Sequence, residues 1–142
     1  MRRATRLAVL ALTLCASCAA AQVAPPSAAA GIDWTKRSSN PFASGRIDSW
    51  YHLLRDETGL KRAIIMRSFD VPAAELPGDY ASIIYAQDFD CAARTTRIGL
   101  MYRYAGQRGT GRLLYNEDSF SVPRPFDDAS EEERFFRQRL CP

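Results

Sequence analysis

Tyr80–Cys91, YASIIYAQDFDC, is the stretch whose reading decides the fold. It is rich in β-branched and aromatic residues and it alternates, as a strand with two unlike faces does. Ile83, Tyr85, Gln87, Phe89 and Cys91 point one way; Ser82, Ile84, Ala86, Asp88 and Asp90 point the other. The first set is the more apolar and is expected to face the core. That orientation places the Cys91 sulfur inside, where a helix lying on the same face can meet it.

Ser130-Glu131-Glu132-Glu133 announces that helix. Serine at the N-cap with glutamate three residues on is a capping box, and three acids occupy the positive end of the helix dipole. Arg134, Arg137 and Arg139 gather toward the negative end. About ten residues is too short for a helix to persist alone in water, so it must dock. Phe135, Phe136 and Leu140 share one arc and supply the docking face. Arg139 lies inside that arc and is expected to snorkel or to meet Asp88 or Asp90. Cys141 falls outside it, so the helix is expected to fray there and release the sulfur toward the sheet. A Cys91–Cys141 bridge would close a loop of about 50 residues and contribute about 4 kcal/mol by chain entropy. Two free buried thiols are the alternative.

The N-terminus reads as an export signal. Arg2, Arg3 and Arg6 precede an apolar run from Leu7 to Leu14, too short to span a bilayer, and Ala19-Ala20-Ala21 suits cleavage before Gln22. Residues 1–21 are therefore expected to be a signal peptide, 22–45 a Pro/Ala-rich flexible linker and 46–142 the folded domain. Cleavage after Ala21 removes Cys15 and Cys18 and leaves one cysteine pair in an oxidising compartment. The rival reading anchors the chain by a lipid on Cys18. No second apolar run of membrane length follows, so no transmembrane span is expected.

The full chain of 142 residues carries 19 Lys+Arg against 16 Asp+Glu. Three arginines and no acid leave with the leader, so the mature charges balance. A neutral domain gives no electrostatic basis for a nucleic-acid partner.

Along the mature chain, Arg46–Arg55 and Leu60–Phe69 read as a hairpin around Asp56-Glu57-Thr58-Gly59. Ala63, Ile65 and Phe69 share one face; Ile64 and Met66 share the other. Pro72, Pro77 and Gly78 mark a loop before the central strand. Arg94–Tyr104 continues the sheet, with Ile98, Leu100, Tyr102 and Tyr104 opposed to Arg97, Gly99, Met101 and Arg103. GQRGTG (106–111) turns the chain, and Arg112–Tyr115 and Phe120–Val122 read as short strands around Asn116-Glu117-Asp118. The fold class is α+β: a curved antiparallel sheet of five or six strands, with a C-terminal helix packed on one face and tied by the disulfide. On the opposite face Ile64, Met66, Ile84 and Met101 are more apolar than a wet surface usually is. They mark either a partner surface, including a homodimer interface, or a patch that loops cover.

No residue pattern signals catalysis or a cofactor. His52, the one histidine, has no nucleophile in an activating context. Asp88 and Asp90 share a strand face and could hold a cation, but Arg94, Arg97 or Arg139 can neutralise them. GQRGTG looks like a phosphate loop yet lacks the terminal Lys-Ser/Thr and joins two strands. Zinc-ligand spacing is missing too, so no metal is expected.

The residues from Tyr80 onward resemble the surface-adhesin protein E family, small exported bacterial proteins. The shared features are the Tyr80-Ala81-Ser82 strand start, the Asp88-Phe89-Asp90-Cys91 ending, the basic strand Arg94–Arg103 and the closing Cys141 of the last helix. The resemblance covers roughly Tyr80 to Cys141. It implies an antiparallel sheet with the helix clamped on it, and binding of extracellular-matrix proteins such as vitronectin and laminin. The expected function is thus a non-enzymatic envelope protein, in the periplasm or at the cell surface, that binds protein partners. The alternative is a structural or stress-related periplasmic module with no host ligand.

Overall fold

Runs of β-branched and aromatic residues separated by Pro/Gly turns set the strands. The computed structural model describes residues 31–55 and 60–141. Seven strands precede one helix: β1 Thr35–Phe42, β2 Gly45–Arg55, β3 Lys61–Asp70, β4 Ser82–Asp90, β5 Thr95–Tyr104, β6 Leu113–Phe120, β7 Arg124–Pro125 and α1 Glu131–Leu140. All pairings are antiparallel in the order β1-β2-β3-β4-β5-β6, and β7 adds a short second pairing to β5. The sheet thus has more strands than the five or six expected.

Three differences account for that count, the first being β7 Arg124–Pro125, a short strand the sequence does not announce. Second, Thr35–Phe42, inside the expected linker, is paired along β2 and is therefore part of the folded domain. Its polar sequence is held by neighbours: Phe42 meets the Phe69 ring edge-on at 5.7 Å, and Phe69 meets Tyr80 at 5.8 Å. Third, Asn116-Glu117-Asp118 is no turn; β6 runs unbroken through it. The leader, Cys15, Cys18 and the Asp56–Gly59 turn lie outside the described residues.

The helix and clasp stand as the residues suggest. The Ser130 side chain accepts from the Glu133 amide. The Glu133 carboxylate does not return to Ser130, as a full capping box would. It takes the Asp127 amide at 2.6 Å and the Arg124 guanidinium at 2.8 Å, which ties the incoming loop to the helix. Phe136 and Leu140 are fully buried against Ala63, Ile65, Tyr85 and Phe89. The helix ends at Leu140, and Cys141, just past it, is bonded to Cys91 with the Cα atoms 5.5 Å apart.

Arg139 departs from expectation. It reaches neither Asp88 nor Asp90. It turns outward, stacks 3.6 Å from the Phe135 ring centre and donates to the Phe135 carbonyl.

Candidate functional site

The four residues expected to mark either a partner surface or a patch that loops cover do not lie together. Met66 and Ile84 are 2 % and 3 % exposed and pack with Tyr104 into a second core, walled by Trp34, Trp50, Ile64, Tyr102 and Leu113. Met101 is on the other face, against the helix-side core. The cause is a bulge: Ile84 faces Tyr102 and Ala86 faces Gly99, so β5 carries one residue more than β4. Leu100 absorbs it in the left-handed region, at φ 49°. Ile98 and Met101 consequently lie on the helix side, while Tyr102 and Tyr104 lie on the other.

What covers the second face is the glycine turn. Ser68 and Ser82 are buried on that face. The Ser82 hydroxyl donates to the Gly106 carbonyl at 2.6 Å and accepts the Gly109 amide at 2.9 Å; Ser68 accepts the Arg108 amide at 3.2 Å. These bonds fold residues 106–110 back over the sheet and lay the Arg108 guanidinium 5.2 Å from the Trp50 ring centre. Beside Trp50 opens a cleft of about 430 Å³ lined by Lys36, Arg46, Asp48, Asp70 and Gln107. Lys36 reaches Asp48 at 3.3 Å, and Arg46 reaches Asp70 at 2.8 Å.

At the far end of the same face Asp88 is buried and taken up by two arginines. Arg62 grips it through both carboxylate oxygens, at 2.5 and 3.0 Å, and Arg97 meets Oδ2 at 3.0 Å. Both guanidiniums stack on Phe120, 4.8 and 4.7 Å from its ring centre. Arg97 was among the expected partners. Arg62 was not; the β3–β4 register that sets it opposite Asp88 is a long-range property. Asp90 turns away to accept the Ala93 amide. The two carboxylates therefore do not act as a pair. His52 faces the Asp33 carbonyl at 3.1 Å. Among the described residues no group of three His, Cys, Asp or Glu is placed to hold a metal ion, and no helix is long and apolar enough to cross a membrane.

Among the described residues the sheet has two edge strands, β1 and β6. β1 is interrupted by Pro41 and by a bulge between Lys36 and Ser38. β6 has eight residues without proline or lysine; it too is bulged, between Glu117 and Phe120 and between Leu113 and Tyr115, and Tyr115–Ser119 are all exposed. Tyr115 is one of the large apolar side chains open to solvent, at 41 %.

No curated protein and no solved structure matches the chain. The sequence model of surface-adhesin protein E matches residues 50–141, from the middle of β2 through the cysteine that closes the clasp. The match takes in the β2–β3 hairpin as well as the segment from Tyr80 on, and the chain belongs to the surface-adhesin protein E family.

Proposed function

We propose that this domain is a non-enzymatic binding module of the bacterial envelope, exported and displayed in the periplasm or at the cell surface, whose ligands are proteins. Family membership supports an exported, surface role. The observation that carries the protein-binding reading is the outer edge of β6. An edge strand offers its unpaired main-chain groups to an extended segment of another chain. Glu117 and Asp118 follow Tyr115 there, so the edge favours a basic segment with an apolar anchor. The residues that could have suggested chemistry are otherwise engaged: Asp88 by Arg62 and Arg97, His52 by a main-chain carbonyl.

Binding of the exported protein to immobilised laminin and vitronectin tests this. The parent is expected to bind at micromolar concentration. The double variant Glu117→Lys, Asp118→Lys is expected to weaken binding about tenfold or more while the fold is kept, since both positions are exposed. No binding by the parent overturns the adhesive reading; equal binding by the variant overturns the edge.

A further inference from the structure

The cleft beside Trp50 has features that the fold does not require. Arg108 sits in the left-handed region, at φ 56° and ψ 38°, in a turn that already contains Gly106, Gly109 and Gly111. Glycine would hold that conformation without strain, and retained strain at a cleft rim is a mark of function. The Arg108 guanidinium makes no ion pair among the described residues; its one partner is the Trp50 ring. Lys36 approaches the same indole, 5.7 Å from the ring centre, and its side chain is 54 % exposed. Two exposed cations are thus parked on an aromatic platform. Around it, Asp48, Asp70, Gln107 and Ser68 supply acceptors and one amide donor. Asp48 Oδ1 is shielded from solvent, with the Lys36 ammonium lying over it at 3.3 Å. A shift of Lys36 toward a ligand anion would uncover that oxygen.

The geometry points to a binding subsite for an acidic saccharide, a sugar ring bearing a sulfate or carboxylate group. The indole suits the apolar face of a sugar ring. Asp48, Asp70 and Gln107 suit its hydroxyls, and Arg108 with Lys36 takes the anion, Arg108 through its planar fork. An acidic peptide fits less well, because Asp48 and Asp70 line the same cleft and repel successive carboxylates. This assignment is independent of the β6 edge, which lies at the opposite border of the sheet from β1.

The test is a titration of the exported protein with a sulfated, uronate-containing disaccharide, followed by the indole N–H signals of Trp50 and Trp34. The expected result is a saturable shift at Trp50, a much weaker one with the desulfated disaccharide, and none with inorganic sulfate alone. Arg108→Gly is expected to leave the melting temperature equal or higher, because the strain is gone, while weakening the disaccharide about tenfold or more. No saturable Trp50 shift overturns the proposal, as does undiminished binding by Arg108→Gly. Inorganic sulfate or a glutamate hexapeptide matching the disaccharide overturns the saccharide assignment.

Discussion

Tyr85 of the central strand and Glu132 of the helix are joined by a 2.7 Å hydrogen bond from phenol to carboxylate. Arg67 donates to the same carboxylate oxygen at 2.8 Å, and Arg37 approaches the other at 3.6 Å. The cluster fixes the first turn of α1 to the sheet at the end opposite the disulfide. The helix is thus held covalently at its tail and by charge-assisted bonds at its head.

That arrangement has a pH signature. Burial, and then the negative charge of Glu132, push the Tyr85 phenol above the ordinary tyrosine range. A group whose pKa is raised on folding contributes stability that is fully present below its unfolded pKa, about 10, and lost as pH rises beyond it. Tyr85→Phe is expected to lose about 1–2 kcal/mol at neutral pH, where the bond to a carboxylate is intact. Above pH ~10 the gap between parent and variant should close by about 1.4 kcal/mol per pH unit. Urea unfolding at neutral and alkaline pH measures it; a gap unchanged with pH contradicts the assignment.

The Cys91–Cys141 bridge spans 50 residues of sequence. Removing it by Cys91→Ser with Cys141→Ser frees the denatured chain and is expected to cost about 4 kcal/mol. For a domain of this size that lowers the melting temperature by roughly 15–25 °C. Thermal unfolding with and without reductant should show the same drop in the parent and none in the double variant.

Asp88 is the second buried anchor. Its side chain is 8 % exposed, against 19 % for Arg62 and 44 % for Arg97. Asp88→Asn leaves two guanidiniums facing a neutral amide and is expected to cost about 2–3 kcal/mol, because a half-removed buried pair strands charge. Asp90→Asn, at an exposed turn, should stay within about 1 kcal/mol of the parent. Chemical denaturation of both variants separates a structural carboxylate from a dispensable one; equal losses would contradict the assignment.

The difference between what the chain declares and what it conceals follows from range. The β4 alternation, the Ser130 cap and the Cys141 clasp are local patterns, or one covalent pairing, and all were legible. β1 was not: Thr35–Phe42 contains proline, asparagine and two serines, and is a strand because β2 and the Phe42–Phe69 contact make it one. Met101 was misplaced because a period of two cannot reveal an added residue, and Leu100 bears no glycine-like signal of its positive φ. The Trp50 cleft is hidden from the sequence for a related reason. Lys36 meets Trp50 through the β1–β2 pairing, and Arg108 joins them only when the glycine turn folds back.

The bulge region yields the most local test. Gly99 faces Phe120 across the β5–β6 ladder. A Cβ there would stand 2.2 Å from the Ser119 carbonyl oxygen and 2.7 Å from the Phe120 Cα. Both neighbours are backbone, so no rotamer change relieves the contact; β6 itself must move. Gly99→Ala is therefore expected to destabilise by about 1–3 kcal/mol, as overpacking does. Displacing β6 also draws Phe120 away from Arg62 and Arg97, loosening the stack over Asp88. Amide exchange should rise along β6 and at Thr96–Ile98, while β2, β3 and the helix keep their protection. If β6 carries the protein-binding edge, partner binding should weaken in the same variant. Stability within about 0.5 kcal/mol of the parent, with β6 exchange unchanged, would mean that the two strands are not packed as closely as this contact requires.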